Sequence, residues 1–431
     1  MGTNRNKRGG RFPAWPVIVF FCVAILAAAG AVYGLRQVDS PSGGNLTGQT
    51  EAPATTEEPT TEPDLSTRDY TLQFAGDILL HRGPVQYAKT GDDAYDFSPY
   101  FSEIKSRING DFSICNMESP VDSYGGNQNI SSYPCFNVPK EILAALKDTG
   151  FDFLTTANNH AYDQRLKGLI ATRNNIAEAG LRFTGTNETQ AQYDAYQIVD
   201  VGGMKLGIIA YTDSDNGMGV TIPEEMRGFT MRRFTSGDTS DVPRMISDME
   251  RCRAAGADFI ILSLHWGVEY VNGPNETQKE IARRLAEGGA DIIMGNHAHC
   301  VQPIEWADVI RDGKKARSLI IYSLGNFFAD QSGLTISGKP VPKTQYSMLV
   351  DVNIHREKDG TIAFGECSYT PTFCYRNSQQ NSSRYRVLPA GAYRNASSKP
   401  DVFRTAADWE QCISAYEHVT KVVGSAIPMK E

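Results

Sequence analysis

The chain has 431 residues, enough for one large domain with accessory segments, and 41% hydrophobic content supports a substantial core. Its net charge of −8, with no basic stretch outside the N-terminus, argues against a nucleic-acid partner. Eight cysteines without a CxxC spacing argue against a thiolate zinc site.

Arg5, Lys7, Arg8 and Arg11 precede an uncharged apolar run over 13–35. At 1.5 Å per residue it spans roughly 30 Å, the thickness of a bilayer core. Trp15 and Tyr33 stand near its ends, where aromatics favour the interface. The run reads as a single transmembrane anchor, with residues 1–12 cytoplasmic and the main domain outside the cell. The rival reading is a cleaved signal peptide, since Ala29-Gly30-Ala31 resembles a small-residue cleavage site, but the run is long for one. Residues 36–68 follow as an acidic stalk rich in Thr, Pro and Glu, with no basic residue between Arg36 and Arg68. Such a composition does not bury a core.

From residue 69 short apolar runs end in polar clusters: Tyr70–Ala75, Phe112–Cys115, Phe153–Thr156, Leu206–Ala210, Phe259–Leu264, Ile292–Met294 and Leu319–Tyr322. Helical patterns between them cover Lys140–Thr149, Gly168–Ala179, Asp241–Ala254 and Glu276–Gly288, two of which stop at Gly150 and Gly180. This alternation predicts an α/β fold. Ser347–Ile354 and Thr361–Tyr369 lack intervening helices and read as antiparallel strands. The main domain is expected over 69–376. A polar C-terminal extension over 377–431 carries a predicted helix, Ala406–Val423. Cys115 with Cys135, and Cys367 with Cys374, are close enough in sequence to bridge, though the sequence selects no pairing.

In open α/β sheets ligands bind beyond the carboxyl ends of the strands. Those positions hold Asp77 and His81, Asn116 and Glu118, Asn159, His160 and Asp163, His265, His297 and His299, and Asn326. Five of the seven histidines stand at such ends; His355 and His418 do not. One such histidine is ordinarily a surface or core residue, but five in equivalent places with Asp, Glu and Asn read as a metal site. Nitrogen and oxygen donors without sulfur suit Mn, Zn or Fe. Two divalent ions roughly 3.5–4 Å apart need a bridging ligand, for which Glu118 is the natural carboxylate. His297 and His299, two apart in an extended segment, face one side, and a slight irregularity sends one ring to each ion. His160 and Asp163, at i and i+3 of a first helical turn, form a candidate catalytic pair, with helix capping by Asp163 as the alternative.

The ordered motifs resemble the capsule synthesis protein CapA family, also called poly-γ-glutamate synthesis proteins. They are Phe74-Ala75-Gly76-Asp77 with His81; Asn116-Met117-Glu118; Ala157-Asn158-Asn159-His160 with Asp163; His265-Trp266-Gly267 with Glu269-Tyr270; Gly295 with His297, His299, Gln302 and Glu305; and Tyr322 to Asn326-Phe327. The family is similar to the calcineurin-like metallophosphoesterases, which implies a four-layer α/β/β/α sandwich around two metals. The resemblance further implies Asp77 and His299 on one metal, Asn159, His265 and His297 on the other, Glu118 between them, and His160 with Asp163 as catalytic pair. The superfamily's first motif is Asp-x-His; here His81 follows Asp77 by four, as a ligand from the next turn or a substrate contact. Asn116, Asn326, Gln302 and Arg82 are further candidates for metal or substrate.

The implied activity is that of a metal-dependent hydrolase in capsule or poly-γ-glutamate synthesis or export, with subunits of a synthase complex and an anionic polymer as partners. Arg82, Arg165 and Lys343 are the candidates to meet that polymer. Two other readings stand beside it. One is a non-catalytic scaffold that binds polymer. The other is a cell-surface nucleotide or sugar-phosphate hydrolase with Trp266, Tyr270 or Phe327 stacked on a base.

Overall fold

Period-two alternation along apolar strands leaves each with two faces to bury, and the chain buries both. The computed structural model describes residues 67–331, 335–336, 339–340, 343–379 and 381–431. The predicted N-terminal segment and anchor, and the stalk through residue 66, lie outside the described residues. Among the described residues no helix is long and apolar enough to cross a membrane.

The strands are β1 (Arg68–Leu79), β2 (Phe112–Met117), β3 (Phe153–Thr155), β4 (Arg182–Thr184), β5 (Gln197–Val201), β6 (Met204–Thr212), β7 (Phe259–His265), β8 (Ile292–Asn296), β9 (Ile304–Arg311), β10 (Lys314–Ile321), β11 (Phe328–Ala329), β12 (Thr335–Ile336), β13 (Lys339–Pro340), β14 (Tyr346–Arg356), β15 (Ile362–Arg376) and β16 (Tyr385–Pro389). One sheet runs β16-β15-β14-β1-β2-β3-β4, with β11 paired to β1; a second runs β5-β6-β7-β8-β10-β9. In the first, β1 to β4 are parallel and β14 to β16 join antiparallel, as expected for the two late strands. In the second, β6, β7, β8 and β10 are parallel between antiparallel edges.

Alternate residues sort into separate cores. Leu72, Phe74 and Ile114 of the first sheet pack with Leu206, Ile261, Ile292 and Ile321 of the second. The opposite residues of the first sheet, such as Cys115 and Leu154, meet Ile142 and Leu146 of the helix Glu141–Thr149. On the outer face of the second sheet, Ile260, Leu262 and Ile293 meet Met245, Met249, Ile281 and Leu285 of the helices Val242–Ala254 and Glu276–Glu287. Each sheet therefore has the other on one face and helices on the opposite one.

The helices begin and end where local chemistry dictates. Asn275 with Gln278, and Thr405 with Asp408, form capping boxes that satisfy the first N–H groups. Gly150, in the left-handed region at φ 117°, donates its N–H to the last turn of Glu141–Thr149. The helix Ala406–Val423 lays Cys412, Ala415 and Val419 into the core between the sheets, and β16 extends the first sheet from β15. Residues beyond 377 thus contribute to the same sheet and core as the rest.

All seven described cysteines are free. Cys367 and Cys374 lie on one strand, seven residues apart, which at ~3.3 Å per residue sets them ~23 Å apart, out of bridging reach.

One close approach fixes the start of the site. The pairing of β1 with β2 shifts register between Phe74 and Asp77. There the Asp77 N–H donates to Gly325 O at 3.0 Å. A Cβ on Gly76 would stand 1.8 Å from that same oxygen. Gly76→Ala is therefore expected to destabilise the chain by about 3 kcal/mol or more, because backbone rather than a flexible side chain must yield. Thermal denaturation beside the parent chain measures it, and an unchanged melting temperature would refute the packing argument.

Candidate metal centre

The parallel strands of both sheets deliver their following residues to one place. Asp77 comes from the end of β1, Glu118 follows β2, Asn159 and His160 follow β3, His265 ends β7, and His297 and His299 follow β8. All seven are buried, Asp77 and Glu118 completely. Two groups that can hold a metal ion result: Glu118 with His265 and His297, and Asp77 with Glu118 and His299. Glu118 belongs to both.

Neither His297 nor His299 lies in extended backbone. β8 stops at Asn296, and the two histidines take φ of 93° and 57°, rarely adopted by residues other than glycine. This departs from the expected strand end: left-handed turns, not strand alternation, part the two rings. His297 Nδ1 lies 3.1 Å from His265 Nε2, and His299 Nδ1 lies 2.9 Å from Asn326 Oδ1.

The donor spacing fits an ion. Two donors ~2.1 Å from one metal at tetrahedral or octahedral angles stand roughly 3.0–3.4 Å apart. Around His265 Nε2 the structure has His297 Nδ1 at 3.1 Å, Asn159 Oδ1 at 2.9 Å and Glu118 Oε1 at 3.4 Å. The other group is wider: His299 Nδ1 is 4.0 Å from Asp77 Oδ2 and 3.9 Å from Glu118 Oε2. Both oxygens of Glu118 are buried with no hydrogen-bond partner. A carboxylate in that state costs several kcal/mol unless a cation meets it.

Protonation preferences carry the same message. Burial, then the Glu118 charge, pushes Asp77 up to about 8. Burial also raises Glu118. Burial holds His265 and His297 well below the ordinary histidine value, so both rings are neutral and keep a lone pair for a ligand bond. Burial opposes charge on His299 too, but Glu118 and Asp77 outweigh it and raise that ring.

Supporting amides hold the donors. Asn116 Nδ2 donates to Asp77 Oδ1 at 2.8 Å, and its Oδ1 accepts from Thr155 at 3.1 Å. Asn326 Nδ2 donates to Gln331 Oε1 and Thr344 O, which fixes its Oδ1 beside His299 Nδ1, the nitrogen that faces Asp77 and Glu118, at the same co-ligand spacing as Asn159 beside His265. Such partners set ring orientation and ligand basicity. Asn326→Ala is expected to weaken divalent-metal binding about 10- to 100-fold without unfolding the chain. Calorimetric titration with Mn²⁺ tests it, and parent-like affinity would remove Asn326 from the supporting set.

Above the buried donors opens a cavity of about 670 Å³. Asn159, His160 and His299 form part of its lining. His160 and Asp163 lie in the turn before the helix Arg165–Glu178 and not in its first turn, because the helix starts only at Arg165. The pair still closes: His160 Nδ1 is 2.9 Å from Asp163 Oδ2. That oxygen also accepts the Phe136 N–H at 2.7 Å, and the Phe136 ring meets His160 edge-on at 4.8 Å. Burial disfavours charge on His160, but Asp163 and Glu118 reverse it and raise its pKa.

A model of the family described as bacterial capsule synthesis protein PGA_cap matches residues 71–331. The chain belongs to this family. It is 30% identical over 300 residues to the PGA biosynthesis protein CapA of Bacillus subtilis, covering 68% of this chain and 70% of that one. It is 29% identical over 266 residues to the capsule biosynthesis protein CapA of Bacillus anthracis, covering 61% and 60%. Among solved structures it is similar to a phosphatase from Mycoplasma pneumoniae, with TM-score 0.41 and 14% identity, over 71% of this chain and 94% of that one.

In this PGA_cap chain the other candidates divide. His81 lines the cavity at the N-terminus of the helix Arg82–Ala88 but joins neither metal group; burial pushes it down to about 4. Gln302 is turned away, its Nε2 donating to Val271 O at 2.8 Å, where it holds the 269–272 loop. Arg82, Arg165 and Lys343 are exposed, and none of them lines the cavity. Trp266 and Phe327 are wholly buried in the outer cores, so of the three aromatic candidates Tyr270 alone lines the cavity. Sequence reasoning missed Tyr133, Phe136, Asn216, Met218 and Gln331. Met218 opens the 3-10 turn Met218–Thr221 and the others sit on loops, all without periodicity and far in sequence from the donors. The Tyr133-Pro134 turn sequence was the sole available hint.

Proposed function

We propose that this chain is a metal-dependent phosphoester hydrolase acting in capsule or poly-γ-glutamate synthesis or export, outside the cell and tethered by its N-terminal apolar run. The carrying observation is Glu118: buried, without a partner on either oxygen, and shared by two histidine-bearing groups. Asp77, Glu118 and His299 would hold one divalent ion, and Glu118, Asn159, His265 and His297 would hold a second, of Mn, Zn or Fe. The helices outside both sheets support the four-layer α/β/β/α architecture of metallophosphoesterases. Ions bound there supply a water of lowered pKa and neutralise phosphoryl charge. His160, held through Nδ1 by Asp163, offers Nε2 to the cavity and gives a proton to the leaving oxygen.

The relatives' printed roles in PGA and capsule biosynthesis support the pathway. A purely polymer-binding scaffold draws less support, because the cavity lining carries no Lys or Arg to pair with a polyanion. The test combines metal analysis of the purified full chain with assay of nitrophenyl phosphomonoesters and diesters in Mn²⁺. Two bound ions per chain with turnover is the expected result. No retained metal, or metal without turnover of any phosphoester, would sink the hydrolase reading.

A further inference from the structure

Among the described residues six large apolar side chains are exposed, and one of them, Tyr133, lines the cavity. Tyr133, 74% exposed, opens a run of four consecutive lining residues, Tyr133, Pro134, Cys135 and Phe136. A single exposed apolar side chain is ordinary, but one that opens a cavity with apolar walls marks a contact surface.

The walls below continue the same chemistry. Leu79, Phe136, Met218 and Tyr270 line the cavity, and no Lys or Arg stands among the lining residues. Glu269 adds a carboxylate to the wall, which repels a second anionic group on a ligand. A volume of about 670 Å³ is far more than a phosphoryl group fills and falls within the roughly 300–1,000 Å³ that holds a drug-sized ligand.

We infer that the substrate is the phosphate ester of an uncharged aliphatic alcohol, its phosphoryl group at the buried donors and its chain along the apolar wall to Tyr133 at the exposed end. This rests on the phosphoester reading above and narrows it: the wall selects against esters whose alcohol carries further charge or many hydroxyls.

The test is calorimetric binding of inorganic phosphate, n-octyl phosphate below its micelle concentration, and glycerol 1-phosphate to the Mn²⁺-loaded full chain. Octyl phosphate is expected to bind about fifty-fold more tightly than glycerol 1-phosphate, the increment of roughly three buried methylenes. Replacing Tyr133→Asp and Met218→Asp together, both in the cavity lining and neither fully buried, is expected to shrink that ratio at least ten-fold. Equal affinity for the two esters, or a ratio untouched by the double substitution, overturns the inference while leaving the metal site standing. Failure of inorganic phosphate to bind at all overturns the hydrolase reading, and the inference with it.

Discussion

Glu118→Gln is expected to leave the purified chain without two bound divalent ions and to lower phosphoester turnover at least ~10³-fold. That exceeds the ~10- to 100-fold typical of losing a partner that merely supports a ligand. The reason is the position of the carboxylate, whose two oxygens face two different histidine groups and accept no hydrogen bond from the protein. An amide keeps the shape and loses the charge, so both groups are affected at once. Misfolding is separable from this effect. In metal-free protein the glutamine replaces a buried, unpartnered carboxylate, so the variant should melt no lower than the parent. Metal analysis showing two ions retained in the variant would refute the bridging role.

The metal-free chain should also report its crowded carboxylates through pH. Asp77 has an ordinary value of 3.8 and is pushed to about 8 in the fold by burial and by Glu118. The folded state therefore holds that proton more tightly than the unfolded state. The favourable contribution is complete below the unfolded value and is lost as pH rises through about 8. Melting temperature in chelator should fall from pH 5 to pH 8, and Mn²⁺ at pH 8 should restore it. A flat profile in chelator would mean that Asp77 is better satisfied than its surroundings imply.

Much of this was legible before any coordinates, for a physical reason. Central strands buried on both faces must be continuous apolar runs. Each of the seven predicted runs lies in such a strand, except that Thr156 and Tyr322 fall just past the strand ends. Of the seven strands not foreseen, β4, β5, β9 and β16 are the edges of the two sheets, and β11, β12 and β13 are only two residues long. Edge strands are paired on one side only, and β9, with Glu305, Asp308 and Arg311 among its residues, shows no apolar run. The donors were legible because parallel strands must end on one side, which makes a polar residue after each run conspicuous. The cavity wall was not. Tyr133, Phe136 and Met218 reach it through loops and a short 3-10 turn whose course depends on ties such as Phe136 N–H to Asp163, and no local pattern encodes those. His81 shows the same limit: four residues from Asp77, it turns into the cavity wall and not to the metal groups, because the helix Arg82–Ala88 starts there.

His160→Asn is expected to lower kcat on an alkyl phosphate by ~10²- to 10⁴-fold, the usual range for a positioned proton donor, while both ions stay bound. The alternative is that the pair is structural: Asp163 accepts both His160 Nδ1 and the Phe136 N–H, so it also ties a wall loop to the turn after β3. The two roles separate by leaving group. A nitrophenolate departs without help, whereas an alkoxide must be protonated as it leaves. If His160 supplies that proton, the loss should be about ten-fold on nitrophenyl phosphate and about 10³-fold on an alkyl phosphate. Asp163→Asn should follow the same pattern more weakly, since the ring remains but loses the carboxylate that orients it and favours its charge. A structural tie alone predicts equal losses on both substrates, carried in KM and melting temperature and not in kcat. Equal losses would therefore assign His160 to the wall and leave the leaving group's proton to solvent.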